Sequence, residues 1–182
     1  GDYYMSHDSA LTPDSTLSLI SPVVHTALQV NPNVDSPAGS IDYANWSLGY
    51  SVSSAGDFNG DGIDDVIIGA HGADPDGQSL AGASYVVFGR SSGFNESLEL
   101  SSLNGDNGFR IDGEGVSDQS GYSVSSAGDV NGDGFDDIIA AATKASPPGI
   151  IKAGRAYIIH GGATLADTID LRSTPADVTL TG

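Results

Sequence analysis

The chain has no cysteine, one methionine and one tryptophan in 182 residues, and only six basic side chains. Each shortage removes a class of protein. Without cysteine there is no disulfide framework, no zinc-finger spacing and no thiol nucleophile. Six basic residues against 24 acidic ones give a formal charge of −18. That leaves no electrostatic footprint for nucleic acid and no basic helix for an anionic lipid surface. No apolar run approaches the ~18 residues of a membrane-spanning helix, so membrane insertion is not expected. Glutamate is scarce too: Glu96, Glu99 and Glu114 are all there are, and every other acid is aspartate. Glutamate suits helix surfaces, whereas aspartate suits turns, caps and metal loops. Together with 25 glycines, this bias predicts an all-β, turn-rich protein able to hold hard cations.

What is present is a duplication. Residues 49–65 read GYSVSSAGDFNGDGIDD and residues 121–137 read GYSVSSAGDVNGDGFDD, 72 positions apart. They differ only at Phe58/Val130 and Ile63/Phe135, apolar in every case. The same offset aligns Pro75 with Pro147 and residues 81–89 with 153–161. Self-similarity over such a span marks one structural unit used twice. Short β-branched or alternating runs at 51–56, 65–69, 85–88 and 109–112, bounded by Gly and Asp, predict four strands per unit, the pattern of a propeller blade. Residues 98–100 and 169–171 form a matched apolar–acid–apolar element in the connection between blades. Segments 17–20 and 23–30 are apolar enough for strands, and Pro13, Pro22, Pro32 and Pro37 rule out one long helix there. The expected organisation is an irregular N-terminal arm or part-blade at 1–40, blade 1 at 41–112, and blade 2 at 113–182 with a C-terminal edge strand.

Each repeat carries a loop with oxygen side chains at positions 1, 3, 5 and 9. They are Asp57, Asn59, Asp61 and Asp65 in the first, and Asp129, Asn131, Asp133 and Asp137 in the second. Alternate residues of a tight loop can face one centre, Gly62 and Gly134 permit the turn, and the carbonyls of Ile63 and Phe135 at position 7 add backbone donors. Several carboxylates and hard oxygens on a flexible loop suit Ca²⁺ better than Zn²⁺, copper or Mg²⁺. The loops are not EF-hands, because position 12 would be Ile68 or Ala140 rather than Glu. Asp65 and Asp137 are therefore expected to close two Ca²⁺ sites, and Asp64 and Asp136 to face solvent. Without a cation, three carboxylates per loop repel one another.

These residues resemble the FG-GAP repeat of integrin alpha-subunit β-propellers. Leu48-Gly49 and Ser120-Gly121 stand at the Phe-Gly position, and Gly69-Ala70-His71 and Ala140-Ala141-Ala142 at the Gly-Ala-Pro position, so both are degenerate. The Asp loop and the AGxxY strand are intact. The resemblance spans roughly residues 49–161 and implies four-stranded antiparallel blades rigidified by Ca²⁺. Integrin-type propellers close with seven blades, so two make a partial propeller. Either the remainder of a longer propeller or further copies, joined by strand or blade exchange into an oligomer or filament, are expected to cover the open faces. Residues 178–182 resemble 109–113. As a tail strand with no blade of its own, they are expected to complete a neighbour's first blade.

Catalysis finds little support. There is no GxSxG elbow, P-loop or HExxH motif. His71 and His160 read as surface and strand-face residues, and the pairs Asp64-Asp65 and Asp136-Asp137 belong to the metal loops. Tyr43 and Trp46 can pack under the arm or stack on a sugar. Asn45 and Asn95 lie in N-glycosylation sequons, which matter only in a eukaryotic secretory setting. The reading is an extracellular calcium-binding module for adhesion or self-assembly, with a protein or glycan ligand. The alternatives are the non-catalytic FG-GAP portion of a secreted hydrolase or phospholipase, or a carbohydrate-binding lectin.

Overall fold

A computed structural model describes residues 29–31, 47–94, 97–147 and 149–182. Most of the N-terminal arm, Tyr43, Trp46, Asn45 and Asn95 lie outside the described residues. Strand β1 (Gln29–Asn31) precedes two similar units. The first holds β2 (Ser51–Gly56), β3 (Asp65–Ala70), β4 (Ala83–Val87), β5 (Ser97–Glu99) and β6 (Gly108–Asp112). The second holds β7 (Ser123–Gly128), β8 (Asp137–Ala142), β9 (Arg155–Ile159), β10 (Thr168–Asp170) and β11 (Val178–Thr181). The described residues contain no α-helix, only short 3-10 turns at Pro75–Gly77 and Leu100–Ser102.

The fold class is as expected from the sequence: all-β, with two open antiparallel blades of a partial propeller. Strands β2-β3-β4-β6 pair antiparallel in that order, and β7-β8-β9-β11 repeat it. The registers coincide across the duplication: Val52 faces Ile68 as Val124 faces Ala140, and Ile68 faces Tyr85 as Ala140 faces Tyr157. Each innermost strand ends in the same bulge, between Ser54 and Gly56 and between Ser126 and Gly128. Gly56 and Gly128 sit there at φ +68° and +69°, a left-handed conformation that turns the strand into the Asp loop and that a side chain resists.

Two expectations change. The first sheet has five strands rather than four. Strand β10, from the connection of the second unit, adds parallel to β6, with Ile169 opposite Ile111. The corresponding connection of the first unit, β5, pairs parallel with β1, with Leu98 opposite Val30. The tail, in turn, is not a strand in search of a blade. Strand β11 pairs antiparallel with β9, Val178 opposite Ile158 and Thr181 opposite Arg155, and so completes its own blade. The backbone donors and acceptors it presents to β9 are satisfied within the unit, and strand exchange through the tail has nothing left to supply on that side.

The main core lies between the sheets. Phe58, Ile67, Val86, Phe88, Phe109 and Ile111 from the first pack against Val124, Ile138, Tyr157 and Ile159 from the second. Burying such side chains contributes roughly 1.5–3 kcal/mol each. A second cluster, including Ile68, Tyr85, Val87, Leu100 and Leu103, lines the other face of the first sheet. On the far face of the second sheet Val130, Val178 and Leu180 stay exposed.

Candidate metal centre

Both Asp loops join an innermost strand to the next: 57–64 links β2 to β3, and 129–136 links β7 to β8. Their side-chain oxygens accept hydrogen bonds from the loops' own backbone amides. In the first loop Asp57 Oδ2 accepts from Gly62 N at 3.0 Å, Asn59 Oδ1 from Asp61 N at 2.9 Å, and Asp61 Oδ1 from Ile63 N at 2.9 Å. The second repeats this with Asp129 Oδ2 and Gly134 N at 3.0 Å, Asn131 Oδ1 and Asp133 N at 2.9 Å, and Asp133 Oδ1 and Phe135 N at 3.0 Å. The contacts two residues apart are the Asx turns that alternate Asp and Asn residues favour, and the Asp57–Gly62 and Asp129–Gly134 contacts close each loop across five residues.

Asp65 and Asp137 behave differently from the other ligand candidates. Both are buried. Asp65 accepts from Phe58 N at 3.1 Å and from Gly89 N at 2.8 Å. Asp137 accepts from Val130 N at 2.9 Å and Gly161 N at 2.9 Å. Each therefore ties its loop to the end of a neighbouring strand. Burial pushes the Asp65 carboxyl up to about 6; nearby Asp61 adds to the rise, and the Gly89 and Phe58 amides oppose it. An adjacent cation would lower it again.

Among the described residues, no three acidic or histidine side chains converge closely enough to enclose an ion with the loops as they stand. The carboxylates are turned onto loop amides. One atom breaks the pattern: Asp57 Oδ1 is buried and has no hydrogen-bond partner. A buried anionic oxygen without a donor is costly, and a cation beside it relieves that cost. The donor set and this orphaned oxygen fit a hard divalent ion at the first loop. Both oxygens of Asp129, by contrast, accept amides, Oδ1 from Gly132 N at 2.7 Å and Oδ2 from Gly134 N at 3.0 Å.

Asp64 is exposed, in line with the expectation; Asp136 is not. Its Oδ2 accepts from Asp57 N at 2.9 Å, and its own N–H donates to Asp57 O at 3.2 Å. Asp136 thus docks the second unit onto the first Asp loop. The cause is the stacking of the two blades, which local sequence does not contain.

Sequence reasoning also passed over an aromatic cluster at the other end of the β2–β3 hairpin. His71 lies between two tyrosines that occupy equivalent places in the repeat, with ring centroids 4.4 Å from Tyr50 and 5.2 Å from Tyr122. The tyrosine rings are 5.0 Å apart, and Tyr50 OH donates to Tyr122 OH at 3.1 Å. Burial, then nearby Lys144, holds the His71 pKa below its ordinary value. The recurrence of GY at 49–50 and 121–122 was the available signal.

Family comparison settles what the two units are. The FG-GAP repeat profile matches residues 48–87 and 120–159. The chain carries two FG-GAP repeats. Each match begins just before an innermost strand, takes in the Asp loop, and ends with the third strand of its blade. Relatives include integrin alpha pat-2 of Caenorhabditis briggsae, 34% identical over 108 residues, and of Caenorhabditis elegans, 36% identical over 104. Each alignment covers 57% of this chain, which spans only about 8% of the relative's length. No helix among the described residues is long and apolar enough to cross a membrane.

Proposed function

We propose that this FG-GAP chain is an extracellular, calcium-stabilised β-propeller module that serves adhesion or assembly and is not catalytic. The observation that carries the reading is the duplicated hard-oxygen loop, with the buried and unpartnered Asp57 Oδ1 in its first copy. Asp57, Asn59, Asp61, the Ile63 carbonyl and Asp65 would hold one Ca²⁺, and Asp129, Asn131, Asp133, the Phe135 carbonyl and Asp137 another. The ion would neutralise carboxylates that otherwise repel and would fix a hairpin end. Loose sites of this kind, with affinities of ~10⁻⁴–10⁻³ M, fill in extracellular fluid and stay largely empty inside cells. The similarity to integrin alpha chains supports the adhesion reading. The units taken as blades are 41–112 and 113–182, behind the segment 1–40.

The exposed far face of the second blade fits the partial propeller being continued by further blades of a longer protein. The test is calcium titration calorimetry together with sedimentation velocity in excess Ca²⁺ and in EDTA. Two bound ions, and a species that is compact with Ca²⁺ and expands without it, are expected. No calcium uptake, with identical sedimentation in both buffers, would remove the calcium reading.

A second reading, carbohydrate binding, is favoured by the Tyr50–His71–Tyr122 cluster, because Tyr50 is 54% and Tyr122 37% exposed. Exposed aromatic faces stack on sugars. A glycan array probed with the native chain and with Y50A/Y122A tests it; no glycan retained by the native chain sinks it.

A further inference from the structure

The two metal loops have the same ligand set and nearly the same sequence, yet their surroundings differ. The first loop is held on several sides by the second blade. Asp136 engages both the N–H and the C=O of Asp57. Gly162 N donates to Phe58 O at 2.9 Å. The Phe135 ring covers Gly60, where an added Cβ would sit 2.3 Å from a ring carbon. A Cβ at Gly56 would likewise sit 2.1 Å from the Asp136 carboxylate. At the equivalent places of the second loop, Gly128 and Gly132, an added Cβ would meet nothing within 4 Å. Phe58 is fully buried, whereas its counterpart Val130 is 53% exposed.

We infer that Asp136 is a positioning residue for the metal loop of the other blade: by clamping Asp57 across the blade interface it makes the first calcium site the tighter of the two. This assignment rests on the calcium reading above. Affinity at hard-oxygen loops depends on ligand charge and on rigidity. Here the ligands are identical, so rigidity and surroundings must account for any difference. A loop already held in place loses less conformational freedom when the ion arrives. Asp57, position 1 of the loop, is the residue being held, and its Oδ1 is buried without a hydrogen-bond partner. Asp64, at the corresponding place in the first repeat, is exposed.

The test is calcium titration calorimetry of the full chain, with D61N and D133N identifying the sites. The native protein is expected to show two unequal sites, the tighter lost in D61N and the weaker in D133N. D136A should weaken the tighter site about tenfold, the worth of one hydrogen bond to a charged group, and leave the weaker site unchanged. D136N keeps an oxygen acceptor for Asp57 N–H and should recover most of the loss. In EDTA, amide exchange should be slower through 57–63 than through 129–135, and D136A should remove that difference. Where D136A does not fold, the D61N and D133N pair and D136N carry the test. Equal sites in the native chain, D136A acting alike on both, or D136A acting on neither would overturn the assignment and leave the calcium reading standing. No calcium uptake by the native chain would overturn both.

Discussion

The two FG-GAP repeats are close to an internal control. Residues 49–65 and 121–137 differ at two positions, and their strands keep one register. Their environments diverge nonetheless. Val52 is 51% exposed and Val124 7%. Gly69 approaches the second blade so closely that an added Cβ would lie 2.1 Å from Gly121 O, while the same position in the second repeat is Ala141. Identical local sequence therefore builds identical hairpins, and the neighbouring blade decides which residues become core, clamp or surface.

The largest test of this contrast is truncation at the shared apolar position. F58A removes a fully buried ring that lies 5.3 Å from Phe109, centroid to centroid. It should cost about 3–5 kcal/mol in denaturant unfolding. V130A, at the exposed counterpart, should stay within ~0.5 kcal/mol. Equal losses would mean that the second blade's far face is covered.

Metal removal comes next. Calcium at 100 times a site's dissociation constant should raise unfolding free energy by about 2.7 kcal/mol for that site. EDTA should reverse it in a thermal melt. D61N should forfeit more of this gain than D133N at sub-saturating calcium, because the first loop is the clamped one.

Small residues sharpen the comparison further. G69A forces a Cβ against Gly121 O and the Ser51 hydroxyl, and should cost about 1–3 kcal/mol. A141G creates no clash and should change stability by roughly 0.5–1 kcal/mol through backbone freedom alone. Comparable losses in chemical denaturation would show that the close approach at Gly69 relaxes freely.

The smallest expected effect is on pH. Asp112, at the end of β6, is buried and its carboxyl is pushed up to about 6 by that burial, against the lowering effect of Arg110 beside it. The corresponding place in the second blade, by pairing with the third strand, is Thr181. A carboxyl whose folded pKa exceeds its ordinary 3.8 binds protons better when folded. Its stabilising contribution is full below about 4 and is lost as pH rises through about 6. Metal-free protein should therefore melt a few degrees higher at pH 5 than at pH 7, on the order of 1 kcal/mol. D112N should remove the part of that slope that Asp112 carries and leave the part carried by Asp65, whose carboxyl is also pushed up to about 6 by burial.

Much of this was legible in the sequence, because duplication, turn residues and β-branched runs are local signals. The hairpins, the Asp loops and the matched connections all followed from spacing. Three features did not. The connection at 168–170 joins the preceding blade's sheet as β10. The tail at 178–181 pairs with β9 of its own blade, because the strand it needs lies some twenty residues upstream, beyond any local pattern. Asp136 turns inward onto Asp57, although its twin Asp64 is exposed.

By itself, then, the sequence determined the repeating unit: the hairpins, the oxygen side chains of each loop, and the glycines that let each bulge turn at positive φ. Those are encoded within a dozen residues by steric limits and side-chain donors. Only the tertiary structure decided which copy of each residue is buried, which Asp loop is held, and which sheet face stays open. Such outcomes depend on what lies across the blade interface, and two nearly identical segments carry no information about which of them will have a neighbour there.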